Sequence, residues 1–163
     1  MKKTVFTVLL LMLTSISFSQ KKTAGYYNYK TECLGVELDG SQTLKAWGNG
    51  RNKADAVEQA KKNAVRDVIF KGIIEGKQDC NQKPIVFEIN AQEKYEDYFN
   101  TFFADGGEYK NFISLKDERI FDKISRDRKK TSESVTNGIV VRVLRSELKK
   151  KLITDSIIKQ QIK

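Results

Sequence analysis

The sequence predicts a single α+β domain in which a mixed or antiparallel sheet of about four to five strands packs against a long alanine-rich helix and a second, aromatic-faced helix. Three observations carry this prediction. Strand-like segments lie towards both ends of the chain, with apolar and polar residues alternating in the first and a nearly continuous apolar run in the last, and two segments with helical apolar spacing lie between them. No internal repeat or low-complexity linker divides the 163 residues.

The first 19 residues have the features of an export signal. Lys2 and Lys3 give a basic start, residues 5–18 form an apolar run, and the small residues Ser17 and Ser19 precede Gln20. We expect cleavage before Gln20. Residues 1–19 are then a signal peptide, and residues 20–163 form the single domain.

The domain contains two cysteines, Cys33 and Cys80, which have one possible pairing. Because disulfides persist in exported proteins, we expect a Cys33–Cys80 disulfide, with two buried thiols as the alternative. Neither cysteine follows the signal directly, so we do not expect a lipid anchor. No apolar run after the signal approaches the roughly 18 residues of a spanning helix. The predicted location is the periplasm or the cell exterior, with or without attachment to the envelope.

Two strands and a helix are predicted in the first half of the domain. Alternation over residues 27–33 predicts a strand, which continues through Val36 and Leu38, and residues 39–41 predict a turn into a second strand over residues 43–47. Asn52 is a good helix cap, and the helix is expected to reach about Gly76. Its apolar stripe is Val57, Ala60, Ala64, Val65, Val68, Ile69 and Ile73.

A polar loop and the aromatic helix follow. Residues 77–84 contain Cys80 and the one proline, which predicts a loop pinned to the first strand by the disulfide. Residues 85–87 predict a strand or a buried extended connection. The second helix ends at Gly106 and Gly107. Its apolar positions are Ala91, Tyr95, Tyr98, Phe99, Phe102 and Phe103, which favour a core role over a platform for sugars or bases.

The last third of the chain predicts strands and a closing helix. Residues 139–144 are apolar enough for a central strand covered on both faces or nearly so. Ser146 is the expected cap of the closing helix. The buried side of that helix is expected to be Leu148, Leu152, Ile153 and Ile157.

The residue inventory excludes several kinds of catalysis. The chain has no histidine, which rules out Ser-His-Asp and Cys-His mechanisms and histidine-containing zinc sites. Carboxylate chemistry survives, and Glu93 and Asp97, four residues apart on the aromatic helix, are the candidate pair. A solvated acidic face is nevertheless the favoured interpretation of these two residues. A calcium site at residues 105–108 is less favoured than a helix-stop turn. We expect no cofactor and no bound metal.

Gly48 and Gly50 stand between a strand and a helix, where a nucleotide phosphate can bind. A third glycine is missing, and the preceding strand belongs to an antiparallel hairpin. A tight strand-to-helix turn is therefore the favoured interpretation.

Charge divides the domain unevenly. Residues 77–109 carry a formal −4 and residues 110–163 a formal +8, and removal of the signal leaves the mature chain at +7. The densest basic run lies between two predicted strands, near a hairpin tip, and consists of Arg126, Arg128, Lys129 and Lys130. These four residues are candidates for binding an anionic partner such as lipid headgroups, an envelope polymer or an acidic protein. A solvated loop is the alternative, and export argues against nucleic acid.

A family resemblance is carried by the strand-turn-helix segment Ala46-Trp47-Gly48-Asn49-Gly50, followed by Ala54, Ala56, Ala60 and Asn63-Ala64. This segment resembles the N-terminal domain of flagellar assembly protein T and related small exported envelope lipoproteins, in which a strand ending in Gly-x-Gly leads into an alanine-rich helix. Residues 140–148 are similar to the strand and helix that end such domains. The resemblance implies a non-catalytic accessory or scaffolding role in the cell envelope.

The sequence therefore predicts an exported, non-enzymatic protein that binds an envelope protein or an anionic surface. The alternative is a secreted carboxylate-dependent hydrolase acting on glycans, with Glu93 and Asp97 as its candidate catalytic residues.

Overall fold

The structure is a computed structural model that describes residues 30–114, 128–130 and 134–159. The predicted signal peptide, residues 27–29 of the first predicted strand, and Arg126 lie outside these ranges. The strands are β1 (Glu32–Val36), β2 (Gln42–Gly50), β3 (Glu75–Gly76), β4 (Ile113–Ser114), β5 (Arg128–Lys130) and β6 (Val135–Val143). The helices are α1 (Lys53–Arg66), α2 (Ala91–Lys94), α3 (Glu96–Phe102) and α4 (Arg145–Thr154), with a π-helical turn at Asp67–Lys71 and a 3-10 turn at Glu108–Phe112.

One mixed sheet organises the described residues, in the order β3-β1-β2-β6-β4, with β5 also beside β6. Strands β1 and β3 are parallel, and the other pairs are antiparallel. The two nine-residue strands, β2 and β6, pair along their whole length, from Gln42 opposite Val143 to Gly50 opposite Val135. The predicted α+β fold is thus confirmed, with β6 in a central position.

Helix α1 packs directly on β2. Side chains on the inner face of this strand shrink along the chain, from Leu44 through Ala46 to Gly48 and Gly50. A Cβ atom on Gly48 would lie 2.1 Å from the carbonyl oxygen of Ala56, and one on Gly50 would lie 2.5 Å from the amide nitrogen of Ala56. Only glycine allows this approach. The fully buried residues of α1 are Ala56, Ala60, Ala64 and Val65.

The Gly-x-Gly segment is therefore a packing motif. Helix backbone fills the space beside both glycines that a phosphate would need. Asn63 strengthens the contact, because its side-chain amide donates to the carbonyl oxygen of Trp47 at 2.8 Å. The favoured interpretation as a close strand-to-helix junction is confirmed.

Helix α1 begins as predicted and ends earlier than predicted. Asn52 caps it by accepting from the amide of Asp55 at 3.0 Å. The helix was expected to reach Gly76, but it widens into the π-helical turn and stops at Gly72, whose φ of 76° favours glycine. Glu75 and Gly76 instead form β3 beside β1.

The segment after the disulfide-bonded loop explains this early end. The amide of Ile85 donates to the carbonyl oxygen of Val68 at 3.1 Å, and that of Val86 donates to Ile69 at 2.9 Å. Phe87 is exposed, whereas Ile85 and Val86 form a buried connection that is not a strand. Their hydrogen bonds satisfy carbonyl groups that another helical turn would otherwise have used.

The aromatic helix is broken at Tyr95, whose φ of −116° and ψ of 36° separate α2 from α3. The prediction of one continuous helix was wrong in this respect. Its aromatic stripe is core, as expected, because Phe99, Phe102 and Phe103 are all buried. The Phe99 ring meets Phe70 from the π-helical turn edge to face, with centroids 4.8 Å apart.

Helix α4 closes the domain but is not capped by Ser146 as predicted. It starts two residues earlier than predicted, with Leu144 at the cap position and no side-chain cap. The hydroxyl of Ser146 instead donates to the carbonyl oxygen of Asp39 at 3.3 Å. The predicted apolar side is buried at Leu148, Leu152 and Ile157, while Ile153 is half-buried.

The Cys33–Cys80 disulfide is present, with Cα atoms 6.3 Å apart and both residues buried. It holds the loop of residues 77–84 against β1, where the amide of Lys77 also donates to the carbonyl oxygen of Cys33 at 2.9 Å. The bridge closes a separation of 47 residues. A long closed loop of this kind restricts the unfolded chain substantially.

Removing the disulfide should destabilise the domain. We expect Cys80→Ser to lower the free energy of unfolding by about 2–5 kcal/mol, because the unfolded chain regains loop entropy. Urea denaturation of the variant and of the reduced parent protein measures this loss. The two should agree, and the double variant Cys33→Ser with Cys80→Ser should match them. Two titratable thiols in the denatured, unreduced parent would contradict the bridge.

Candidate functional site

An open cavity of about 690 Å³ lies between α1 and the segment that contains α2 and α3. We call it the α1–α3 groove. Helix α1 contributes Gln59, Lys62 and Arg66. The opposite side contributes Ile89, Asn90, Gln92, Glu93, Glu96, Phe99, Asn100 and Phe103.

The α1 side of the groove is cationic. The Lys62 ammonium pairs with Asp105 at 2.7 Å, and this hydrogen bond lowers the pKa of the exposed Asp105 carboxyl. The Arg66 guanidinium lies over the Phe103 ring, 5.0 Å from its centroid. Within the described ranges, the buried Nε of Arg66 has no hydrogen-bond partner. An arginine fixed on an aromatic ring and incompletely hydrogen-bonded is well placed to meet an acceptor.

The opposite side is acidic, although its carboxylates are not the predicted pair. Glu93 lies on α2 and Asp97 on α3, because the break at Tyr95 puts them on different helices. Glu93 lines the groove together with Glu96, whereas Asp97 does not line it. Sequence spacing alone did not indicate that Glu93 and Asp97 are separated, because the i, i+4 rule assumes an unbroken helix.

A half-buried carboxylate fixes the 3-10 turn to α1. Glu58 accepts from the hydroxyl of Tyr109 and from the Lys110 ammonium, the latter at 2.8 Å. Burial alone would raise the pKa of Glu58, but the hydrogen bonds from Lys110 and Tyr109 outweigh it and lower that pKa to about 2. Burial and the neighbouring Glu58 carboxylate raise the pKa of Tyr109 above its ordinary range. Glu58 therefore stays ionised as a structural acceptor.

A second polar contact fixes α3 to the end of α4. The Tyr98 hydroxyl donates to Asp155 at 2.5 Å, and burial together with this bond raises the pKa of Tyr98 above its ordinary range. Lys151 bridges Asp155 at 3.2 Å and Glu108 at 2.9 Å. These contacts hold the α3 side of the groove in place.

The predicted basic run lies mostly in a strand. Arg128, Lys129 and Lys130 form β5, in which Arg128 pairs with Asn137 and Lys130 with Val135 on β6. They therefore belong to the sheet and not to a loop. Arg126 lies outside the described residues. The role of all four residues in binding an anionic partner stays a prediction.

The turn after α3 is a helix stop. The amide of Gly107 donates to the carbonyl oxygen of Ala104 at 2.8 Å, and Asp105 is paired with Lys62.

Across residues 30–114 and 134–159, no three histidine, cysteine or acidic side chains are grouped closely enough to hold a metal ion. No helix within the described part of the chain is long and apolar enough to cross a membrane.

No protein-family model, curated protein or solved structure matches this chain. The resemblance to the N-terminal domain of flagellar assembly protein T therefore stays a prediction. The residues that carry it, centred on Gly48 and Gly50, form the contact between β2 and α1.

The Glu58 contact predicts a specific loss of stability in acid. Its folded pKa lies below the ordinary value of 4.5, so its contribution is complete above about pH 4.5 and is lost as the pH falls towards 2. Glu58→Gln should lower the free energy of unfolding near neutral pH by up to about 2 kcal/mol and flatten its dependence on pH across this interval. Urea denaturation at a series of pH values measures both effects.

The matched control is Glu147→Gln, which removes an exposed carboxylate paired with Lys150. This control should change the free energy of unfolding by less than about 1 kcal/mol. Equal pH profiles for Glu58→Gln and the parent would contradict the structural role of Glu58.

Proposed function

We propose that this chain is an exported, non-enzymatic accessory protein of the cell envelope that holds a segment of a partner protein in the α1–α3 groove. The observation that carries the proposal is the arrangement of charge across the groove. Lys62 and Arg66 line one side and Glu93 and Glu96 the other. Such a groove attracts and orients a partner that carries both signs of charge.

The neutral side chains of the groove suit a polypeptide. Four amide side chains line it, and each supplies both a donor and an acceptor. They are Gln59, Asn90, Gln92 and Asn100. An extended peptide presents the same two kinds of group at every residue. Ile89, which is fully exposed beside these amides, offers an apolar contact at the edge.

The walls of the groove are held before a partner arrives. Asn63 fixes α1 to β2, and Tyr98 fixes α3 to Asp155. Because fixed walls lose little conformational entropy on binding, they favour a scaffolding role. The groove volume of about 690 Å³ is ample for a short peptide segment.

Location outside the cytoplasm is part of the proposal. The predicted signal peptide supports it, and so does the buried Cys33–Cys80 disulfide, a bond typical of exported proteins. The basic residues Arg128, Lys129 and Lys130 are proposed as a second contact to an anionic envelope surface. These residues form β5, which pairs with the central strand β6.

A carboxylate-dependent hydrolase acting on glycans is the second candidate. Glu93 and Glu96 favour it, because two carboxylates line one groove. A general acid usually needs a carboxyl group withdrawn from water, whereas both of these side chains are exposed. Binding is therefore the better-supported function.

Site-specific photocrosslinking in the native cells tests the binding proposal. A photoreactive amino acid at Asn100, which lines the groove, should give a discrete crosslink to one envelope protein, identified by mass spectrometry. The matched control is Thr101, the next residue on α3, which is exposed and does not line the groove. Crosslinks of equal yield at both positions, or none at Asn100, would argue against the groove.

The variant pair Glu93→Gln and Glu96→Gln separates the two candidates. Binding predicts a crosslink yield reduced only a few-fold, because exposed charge contacts contribute about 1 kcal/mol or less. Hydrolysis predicts glycan cleavage by the parent protein and its loss in one of these variants. Cleavage that follows this pattern would replace the binding proposal.

A further inference from the structure

A second cavity, of about 310 Å³, lies where the turn between β1 and β2, the disulfide-bonded loop and the start of α4 meet. It shares no lining residue with the α1–α3 groove. Its polar lining includes Gln42 from β2, Asp79 from the loop, and Arg145, Ser146 and Lys149 from α4.

Gln42 brings an unsatisfied acceptor to this cavity. The residue is fully buried, and its side-chain nitrogen donates to the carbonyl oxygen of Asn81 at 3.2 Å. Its Oε1 atom has no hydrogen-bond partner within the described residues. A buried amide oxygen without a donor is costly, and a ligand that supplies a donor would relieve that cost.

Arg145 brings a positive charge without a carboxylate partner. Its guanidinium donates to the carbonyl oxygens of Lys83 at 2.7 Å and Val68 at 3.5 Å, and burial lowers its pKa. Among the described residues, neither Arg145 nor Lys149 has a carboxylate within ion-pair distance. Both line the cavity.

The start of α4 adds to this positive potential. The helix has ten residues, and Leu144 at its cap position provides no side-chain acceptor for the first amides. The partial positive charge of a helix N-terminus favours an anion. Together with Arg145 and Lys149, it gives this side of the cavity a positive potential that favours an anion such as a carboxylate.

The other side of the cavity favours a cationic hydrogen-bond donor. The Asp79 side chain and the Gln42 Oε1 atom both offer acceptor oxygens, and Asp79 is formally an acidic residue. A hydroxyl group would satisfy the amide oxygen alone, whereas an ammonium group would satisfy both and balance the charge.

We infer that this cavity binds a small zwitterion of the α-amino acid class, with its carboxylate at Arg145, Lys149 and the α4 N-terminus and its ammonium group at Gln42 and Asp79. The volume of about 310 Å³ equals that of about ten water molecules, which accommodates the shared backbone atoms and a side chain. The inference is independent of the function proposed for the α1–α3 groove.

Titration of the ¹⁵N-labelled protein with glycine, followed by NMR, tests the inference. Glycine should shift the amide resonances of Gln42 and Ser146 with saturation, at a Kd on the order of 1 mM. Acetate supplies the carboxylate alone and methylammonium the ammonium alone, and each should bind at least about tenfold more weakly. Glucuronate represents an acidic sugar and should bind no better than acetate.

Two variants and one control locate the site. Lys149→Gln should weaken glycine binding about threefold, while Lys150→Gln, an adjacent exposed residue that does not line the cavity, should leave it unchanged. Asp79→Asn should remove most of the preference for glycine over acetate. Equal binding of glycine and acetate, tighter binding of glucuronate, equal effects of the two lysine variants, or the absence of a saturable shift would each overturn the inference.

Discussion

The close approach of α1 to β2 is the contact on which the rest of the structure depends. Gly48 and Gly50 remove the side chains that would hold the helix away, and Ala56 and Ala60 bring its backbone against the strand. Dispersion and apolar burial increase as the two backbones approach, so this junction gives the core its density. Strand β6, paired with β2 over nine residues, extends the same surface beneath the helix.

That contact determines the geometry of the groove, because α1 forms one of its walls and is fixed against β2. Lys62 pairs with Asp105, and Arg66 lies over the Phe103 ring. The position of α1 therefore also determines the position of the segment after α2. Glu58 adds a link to the 3-10 turn through Tyr109 and Lys110. The carboxylates with the strongest contacts serve as structural acceptors, which is one reason why we propose binding and not catalysis as the role of the groove.

Local chemistry made part of this fold predictable. The turn at residues 39–41 indicated β2, the apolar run of residues 139–144 indicated β6, Asn52 identified the start of α1, and the two cysteines had only one possible pairing. The rest depends on contacts between residues distant in the sequence. The apolar spacing after Arg66 is helical, yet hydrogen bonds from Ile85 and Val86 end the helix at a π-helical turn. Ser146 has a high capping propensity, but its hydroxyl donates to the carbonyl oxygen of Asp39.

No local signal places Gln59 and Arg66 opposite Glu93 and Glu96. The groove therefore could not be predicted from the spacing of residues in the sequence.

A comparison of two glycine substitutions tests the central contact most directly. At Gly48, a new Cβ atom would meet helix backbone at 2.1 Å, whereas at Gly35 it would meet nothing within 4 Å. We expect Gly48→Ala to lower the free energy of unfolding by about 2–3 kcal/mol, measured by urea denaturation, because the backbones must separate. Gly35→Ala should change it by less than about 1 kcal/mol. Similar effects of the two substitutions would contradict the claim that the fold rests on the approach of α1 to β2.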